Sequence, residues 1–197
     1  MMADEKQGTL DRREVVKAIL DRREDALVVT GLGSSCYDAG VHDHPNTYYL
    51  WGAMGAAAMM GLGLALAQPK RRVLVITGDG EMLMGLGALA TIGVQQPSNL
   101  TVVVIDNERY GETGMQTTHT ASGVNLAGVA KACGFKTSKL VTKNISSRDI
   151  IHRTAGPHFL QIKVIAEKLP LVLPPQDGVL LKDRFRRALL GKAADSR

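Results

Sequence analysis

Asp79 and Asn107 carry the chemistry most legible in this chain. Asp79 stands between two glycines in Gly78-Asp79-Gly80, and Asn107 closes the acid–amide pair Asp106-Asn107. A carboxylate and an amide oxygen are hard donors of the kind Mg²⁺ prefers, and a glycine turn leaves backbone N–H groups open to an anion. Together they suit a divalent cation holding a diphosphate. Gly80 and Glu81 open a helix-length segment, where free N–H groups and the helix dipole also favour anions.

The flanking segments say how these residues are positioned. Val73 to Thr77 is an apolar run of strand length that ends at the glycine turn. Glu81 to Val94 is small and mostly apolar and reads as one helix; Leu100 to Ile105 reads as the next strand. Parallel pairing of the two strands would bring Asp79 and Asn107 to adjacent carboxyl ends, where open α/β sheets bind ligands.

The 197 residues suit a single domain, and 45% hydrophobic with 22% charged residues is ordinary for a globular α/β chain. Cys36 and Cys133 are far apart and lack metal-ligand spacing, so no disulfide scaffold, zinc site or iron–sulfur cluster is expected. The net charge of +5 is gathered in short Arg/Lys clusters without interleaved aromatics, which gives no support to nucleic-acid binding. Ala53 to Ala67 is apolar but glycine-rich and too short to span a bilayer. The N-terminal stretch is charged rather than signal-like, which makes a cytoplasmic location the expectation.

The rest of the chain alternates. Leu10 to Glu24 reads as an amphipathic helix and Ala26 to Thr30 as a strand. Gly31 to Ser35 then offers N–H groups and hydroxyls to phosphate, making Gly33 and Ser34 candidate cofactor neighbours. His42 and His44 lie in a proline-containing loop with no third ligand, so a surface or substrate-facing role outweighs a metal pair. Thr47 to Leu50 reads as a strand, Trp51 to Gly55 as its exit turn and Ala56 to Ala67 as a helix. Helices are expected over Val124–Cys133 and Ser146–Ala155, and strands over Lys136–Val141 and Phe159–Ile165. The pattern predicts a doubly wound, mainly parallel α/β sheet with helices on both faces. It fills residues 1–175; residues 176–197 form a basic tail, helical over Asp177–Lys192, that reads as an appendage suited to packing on a partner.

Three of these stretches resemble thiamine-diphosphate enzymes. Gly-Asp-Gly followed by Asp106-Asn107 is similar to the family's diphosphate signature. Gly52-Ala53-Met54-Gly55 resembles the G-[SA]-M-G turn of the decarboxylases, whose apolar residue wedges between the two cofactor rings. Glu108 to Thr117 resembles the loop that closes over the cofactor in phosphonopyruvate and sulfopyruvate decarboxylases. That loop usually carries G-G-Q-x-T; here it is Gly114-Met115-Gln116-Thr117-Thr118, with the second glycine replaced.

The resemblance implies thiamine diphosphate and Mg²⁺ as cofactors. Asp79, Asn107 and the main-chain carbonyl of Arg109 would hold the cation. Gly33, Ser34, Gly52, Met54, Gly78, Gly80, Glu81, Tyr110, Gly111 and Glu112 would line the cofactor, and His119 would assist proton transfer. The reaction would be decarboxylation of a sulfopyruvate- or phosphonopyruvate-like 2-oxo acid. The family's activating glutamate comes from a separate pyrimidine-binding (PYR) domain, for which this chain has no room, so a second subunit is expected to supply it. A 2-oxoacid oxidoreductase β subunit, an acetolactate-type carboligase and a non-catalytic cofactor-binding scaffold remain as alternatives.

Overall fold

The computed structural model describes residues 9–145 and 155–195. The strands β1 (Leu27–Thr30), β2 (Thr47–Tyr49), β3 (Val73–Gly78), β4 (Leu100–Asp106), β7 (Thr137–Val141) and β8 (His158–Lys163) form one sheet. Its order is β2-β1-β3-β4-β8-β7, and every pairing is parallel. β5 (Arg109–Tyr110) and β6 (Gln116–Thr117) make a small antiparallel ribbon outside it.

Apolar β-branched runs bury both faces of the central strands β1, β3 and β4, as parallel sheets require. Val73, Val75, Val102 and Val104 point to one face. There they meet α3 (Ala57–Ala67), α5 (Gly87–Gln95) and α6 (Leu126–Ala132) through Leu62, Ile92 and Leu126. Leu74, Ile76, Val103 and Ile105 point to the other. That face is covered by α1 (Arg12–Leu20) and α2 (Ser34–Gly40), through Val16, Ile19 and Cys36. The expected doubly wound α/β architecture is therefore present. β1 and β3 are neighbours, yet the chain leaves β1 through α2 on one face and β3 toward α5 on the opposite face. Such a switch point opens a crevice at the carboxyl ends of the strands.

The structure revises several element boundaries. The expected helix from Glu81 to Val94 is two helices, α4 (Asp79–Met84) and α5, broken at Gly85-Leu86. Gly55 explains the break: its carbonyl oxygen lies 2.1 Å from where a Cβ on Gly85 would sit, so the two backbones are in direct contact. Gly55 itself has φ +92°, which a residue with a Cβ rarely adopts. The first helix starts two residues later than expected, because the Asp11 side chain caps it by accepting from the N–H of Glu14, and it ends at Leu20 rather than Glu24. The expected Ser146–Ala155 helix falls, but for its last residue, outside the described residues.

The tail helix exists as α7 (Gly178–Leu190), capped by Asp177. It is not an appendage, since Leu181 and Phe185 are buried in the chain's own two cores. Phe185 meets Tyr48 of the β2 edge, ring centroids 5.7 Å apart, and Arg184 binds Asp43 through two hydrogen bonds. Paired so closely with its own sheet, α7 covers an edge that would otherwise be open.

Candidate active site

β3 and β4 run in register from Val73↔Leu100 to Gly78↔Ile105, so Asp79 and Asn107 leave the sheet side by side. Both are buried. Asn107 Oδ1 accepts the N–H of Arg109 at 3.0 Å, and Asp106 Oδ1 accepts that of Glu108 at 3.1 Å. These bonds turn the chain sharply after β4, with Glu108 at φ +62°. The turn launches the β5–β6 ribbon back over the end of β3.

A cavity lies between this ribbon and the strand ends. Its wall gathers Gly33, Ser34, Met54, Gly78, Asp79, Gly80, Glu81, Asn107, Arg109, Tyr110, Gly111 and Glu112. Those residues come from four separate stretches of sequence, brought together by the switch point. Two candidates lie outside the wall: Gly52 in the turn after β2, and His119, an exposed residue opening the 3₁₀ turn His119–Ser122. Among the described residues no cluster of three or more His, Cys, Asp or Glu has metal-binding geometry.

Asp79 belongs to a buried polar network that the linear sequence hides. Its Oδ2 accepts from Thr118 Oγ1 at 2.5 Å and lies 3.2 Å from Thr120 Oγ1, which also reaches Asp106 Oδ1 at 2.8 Å. Asp106 in turn accepts from Gln161 Nε2 at 2.6 Å and pairs with Lys163 Nζ at 2.9 Å. Lys163 also holds Glu108 at 2.6 Å. Burial, then the nearby Asp106 charge, pushes the Asp79 carboxyl up to about 6. A carboxylate held near a second one, in a wall of low dielectric, favours a cation beside it. Burial acts against the Lys163 ammonium, but its bonds to Glu108 and Asp106 prevail and its pKa is raised.

Glu81 plays a part that its place after the glycine turn did not reveal. Its carboxylate is buried and accepts from Thr77 Oγ1 at 2.7 Å and from the N–H of Ala57 at 3.3 Å. The N–H groups of Gly55 and Leu32 also donate to it, while burial raises its pKa. A Cβ on Gly31 would lie 1.6 Å from Glu81 Oε2. One side chain thus ties together the turns after β1, β2 and β3. The sequence carried no helical-spacing signal for this contact, because Thr77 lies in β3 and Glu81 in the first turn of α4.

Arg12 was also missed. It forms part of the cavity wall although it lies far away in sequence, at the start of α1. It is buried and bonds to Asp38, which Arg13 also reaches at 3.1 Å. Glu112 arches across from the ribbon and accepts from Tyr37 Oη at 3.0 Å. Its side chain comes within 3.1 Å of a Cβ built on Gly33, at φ +70°. Tyr110 crowds Gly80 in the same way, 2.4 Å from a built Cβ. The φ of Gly33 favours glycine and a Cβ on Gly80 would displace the Tyr110 ring, and glycine turns of this kind leave backbone N–H groups open to an anion beside the Asp79 and Asn107 oxygens. The donor set is that of a hard cation with a polyphosphate, so the residues present fit thiamine diphosphate and Mg²⁺.

A doubly wound sheet with an anion cradle and oxygen donors at its switch point defines a phosphate-cofactor-binding α/β domain. The chain belongs to the thiamine-diphosphate enzymes: residues 32–162 match the family model "Thiamine pyrophosphate enzyme, C-terminal TPP binding domain". It is 36% identical to the sulfopyruvate decarboxylase subunit beta of Methanocaldococcus jannaschii, over 90% of this chain and 96% of that one. The corresponding subunit of Methanothermobacter thermautotrophicus is 34% identical, over 94% and 99%. Phosphonopyruvate decarboxylase of Streptomyces viridochromogenes is 46% identical over 71% of this chain, but only 36% of that longer protein is matched. The fold matches a solved Mycobacterium smegmatis protein described as thiamin diphosphate-dependent, with TM-score 0.65 and 19% identity, over 85% of this chain and 35% of that one. No helix among the described residues is long and apolar enough to cross a membrane.

Proposed function

We propose that this chain is the diphosphate-binding subunit of a two-chain enzyme that decarboxylates a 2-oxo acid bearing a second acidic group, sulfopyruvate or phosphonopyruvate in type. The observation that carries the proposal is the convergence of Asp79, Asn107 and the Arg109 main chain at one cavity, in a chain spanning nearly all of a sulfopyruvate decarboxylase β subunit. Bound thiamine diphosphate supplies the electron sink that loss of CO₂ from a 2-oxo acid requires.

The residues of this chain bind, orient and exclude water. Asp79, Asn107 and the carbonyl of Arg109 hold Mg²⁺ against the diphosphate. Gly80, Glu81 and the Gly33-Ser34 turn offer N–H groups and a hydroxyl to the phosphate oxygens. Met54, exposed in the cavity wall, would present its apolar side chain to the cofactor and orient it. Tyr110 and Glu112 on the ribbon close the cavity against bulk water, which strengthens each of these contacts. A partner subunit with a PYR domain brings the activating glutamate, and the substrate enters between the two chains.

The test is CO₂ release from a panel of 2-oxo acids by the chain together with any subunit that co-purifies. Activity on sulfopyruvate or phosphonopyruvate that needs both chains, thiamine diphosphate and Mg²⁺ is the expected result. Full activity of the chain alone would overturn the two-chain arrangement. CO₂ release that requires reduction of an added electron acceptor would point to an oxidoreductase instead.

A further inference from the structure

Thr118 meets the candidate cation ligands from two directions. Its hydroxyl donates to Asp79 Oδ2 at 2.5 Å, and its backbone N–H donates to the carbonyl of Glu108 at 3.0 Å. Glu108 lies between Asn107 and Arg109. One residue therefore joins the ligand at the end of β3 to the turn that carries the other two. Thr120 braces the arrangement, with its Oγ1 2.9 Å from Thr118 Oγ1 and 2.8 Å from Asp106 Oδ1. Both threonines are buried.

The other buried aspartates show what Asp79 lacks. Asp106 has the Lys163 ammonium and the Gln161 amide, and Asp38 has the guanidinium groups of Arg12 and Arg13. Among the described residues Asp79 has no basic side chain as a partner; its side-chain partners are two neutral hydroxyls, both on Oδ2, and its own backbone N–H also favours the carboxylate. No other side chain bonds its Oδ1 there. A buried carboxylate near a second one is unfavourable unless a positive charge joins it. The hydroxyls fix the orientation of the group without neutralising it, and neutralisation is left to a bound ion.

Building on the proposed function, we propose that Thr118 and Thr120 are positioning residues of a divalent-cation site. They hold Asp79 by one oxygen, keep the other for the cation, and lock the turn bearing Asn107 and Arg109 to the end of β3. Thr118→Val removes the hydroxyl and keeps both the branched shape and the backbone bond to Glu108.

The experiment is a Mn²⁺ titration followed by electron paramagnetic resonance, with thiamine diphosphate present. It uses the full chain with any co-purifying subunit, and the thermal unfolding of each variant is recorded in chelator. Outer-shell partners of metal ligands typically contribute about 10–100-fold in affinity, so Thr118→Val should bind Mn²⁺ at least about tenfold more weakly. Thr118→Ser should bind nearly as well as the parent, and Thr120→Val should fall between. Parent-like Mn²⁺ affinity in folded Thr118→Val would overturn the positioning role and leave the proposed function standing. Should that variant not fold, parent-like affinity in Thr120→Val would do the same. A parent chain that binds no Mn²⁺ would remove the proposed function, and this inference with it.

Discussion

Asp79 and Glu81 stand two residues apart in the first turn of α4, both buried, both with raised pKa values, yet their surroundings differ completely. The Glu81 carboxylate is surrounded by donors of the chain itself: Thr77 and the N–H groups of Ala57, Gly55 and Leu32. Asp79 meets its own backbone N–H, two hydroxyls on one oxygen and a second carboxylate behind them. The first has its bonding capacity filled, which suits a framework role; the second has capacity left, which suits the ligand role proposed for it. On that proposal, unfilled bonding capacity rather than burial or pKa separates the two carboxylates.

The sharpest way to break that comparison is Asp79→Asn, which keeps the shape and removes the charge. Binding of thiamine diphosphate with Mg²⁺, read by tryptophan fluorescence or a shift in melting temperature, should be lost, a drop of at least about 100-fold. Stability without cofactor should move the other way. The folded-state pKa of Asp79 lies above the usual carboxylate value, at about 6, so the folded chain holds a proton that the unfolded chain has lost between those two pH values. Cofactor-free protein in chelator should therefore lose stability as pH rises from about 4 to about 6. The Asn variant should not show this loss and should melt higher at pH 8, by an amount on the order of 1–2 kcal/mol. A variant no more stable than the parent at pH 8 would mean that Asp79 is not held at a disadvantage.

Glu81→Gln probes the other side. An amide placed among these donors replaces one acceptor oxygen by an NH2 that faces a donor, and leaving buried donors unsatisfied removes about 1–3 kcal/mol of stability. The melting temperature should fall with or without cofactor, and cofactor affinity should weaken only as the three turns loosen. A variant with unchanged melting but lost cofactor binding would make Glu81 a ligand and erase the distinction from Asp79. Gly85→Ala perturbs the same framework by sterics, because its Cβ would meet the Gly55 carbonyl at 2.1 Å. Overpacking of this kind usually destabilises by about 1–3 kcal/mol, read as a lowered unfolding midpoint in urea.

The division between what the sequence revealed and what it concealed follows the same line. Strand runs such as Leu100 to Ile105 were legible because burial on both faces demands continuous apolar residues. Asp79 and Asn107 were legible because each ends such a run. Arg12 and Lys163 were not, since each reaches the site across the fold from an ordinary stretch of helix or strand, and the contacts of Thr118 and Thr120 with Asp79 were not, although Thr118 ends a loop already placed over the cofactor. The break at Gly85 escaped notice because its cause, Gly55, lies thirty positions earlier and acts by backbone contact. The buried role of α7 was hidden by its basic residues, although one of them, Arg184, itself turns inward to Asp43.

His119 should show the smallest effect. Its position in the loop after Asn107 suggested proton transfer, but the side chain is exposed and outside the cavity wall, beside the buried Thr118 and Thr120 that do face the site. General acid–base catalysis contributes about 10²–10⁴-fold where it operates, so the choice is a clear one. His119→Ala should leave cofactor affinity, melting temperature and the rate of CO₂ release within about twofold of the parent, far below any catalytic contribution. A large loss of rate at unchanged Mg²⁺ and cofactor affinity would mean that His119 meets the substrate from a surface completed by the partner subunit. The working site would then extend beyond the cavity that Asp79 and the β5–β6 ribbon enclose.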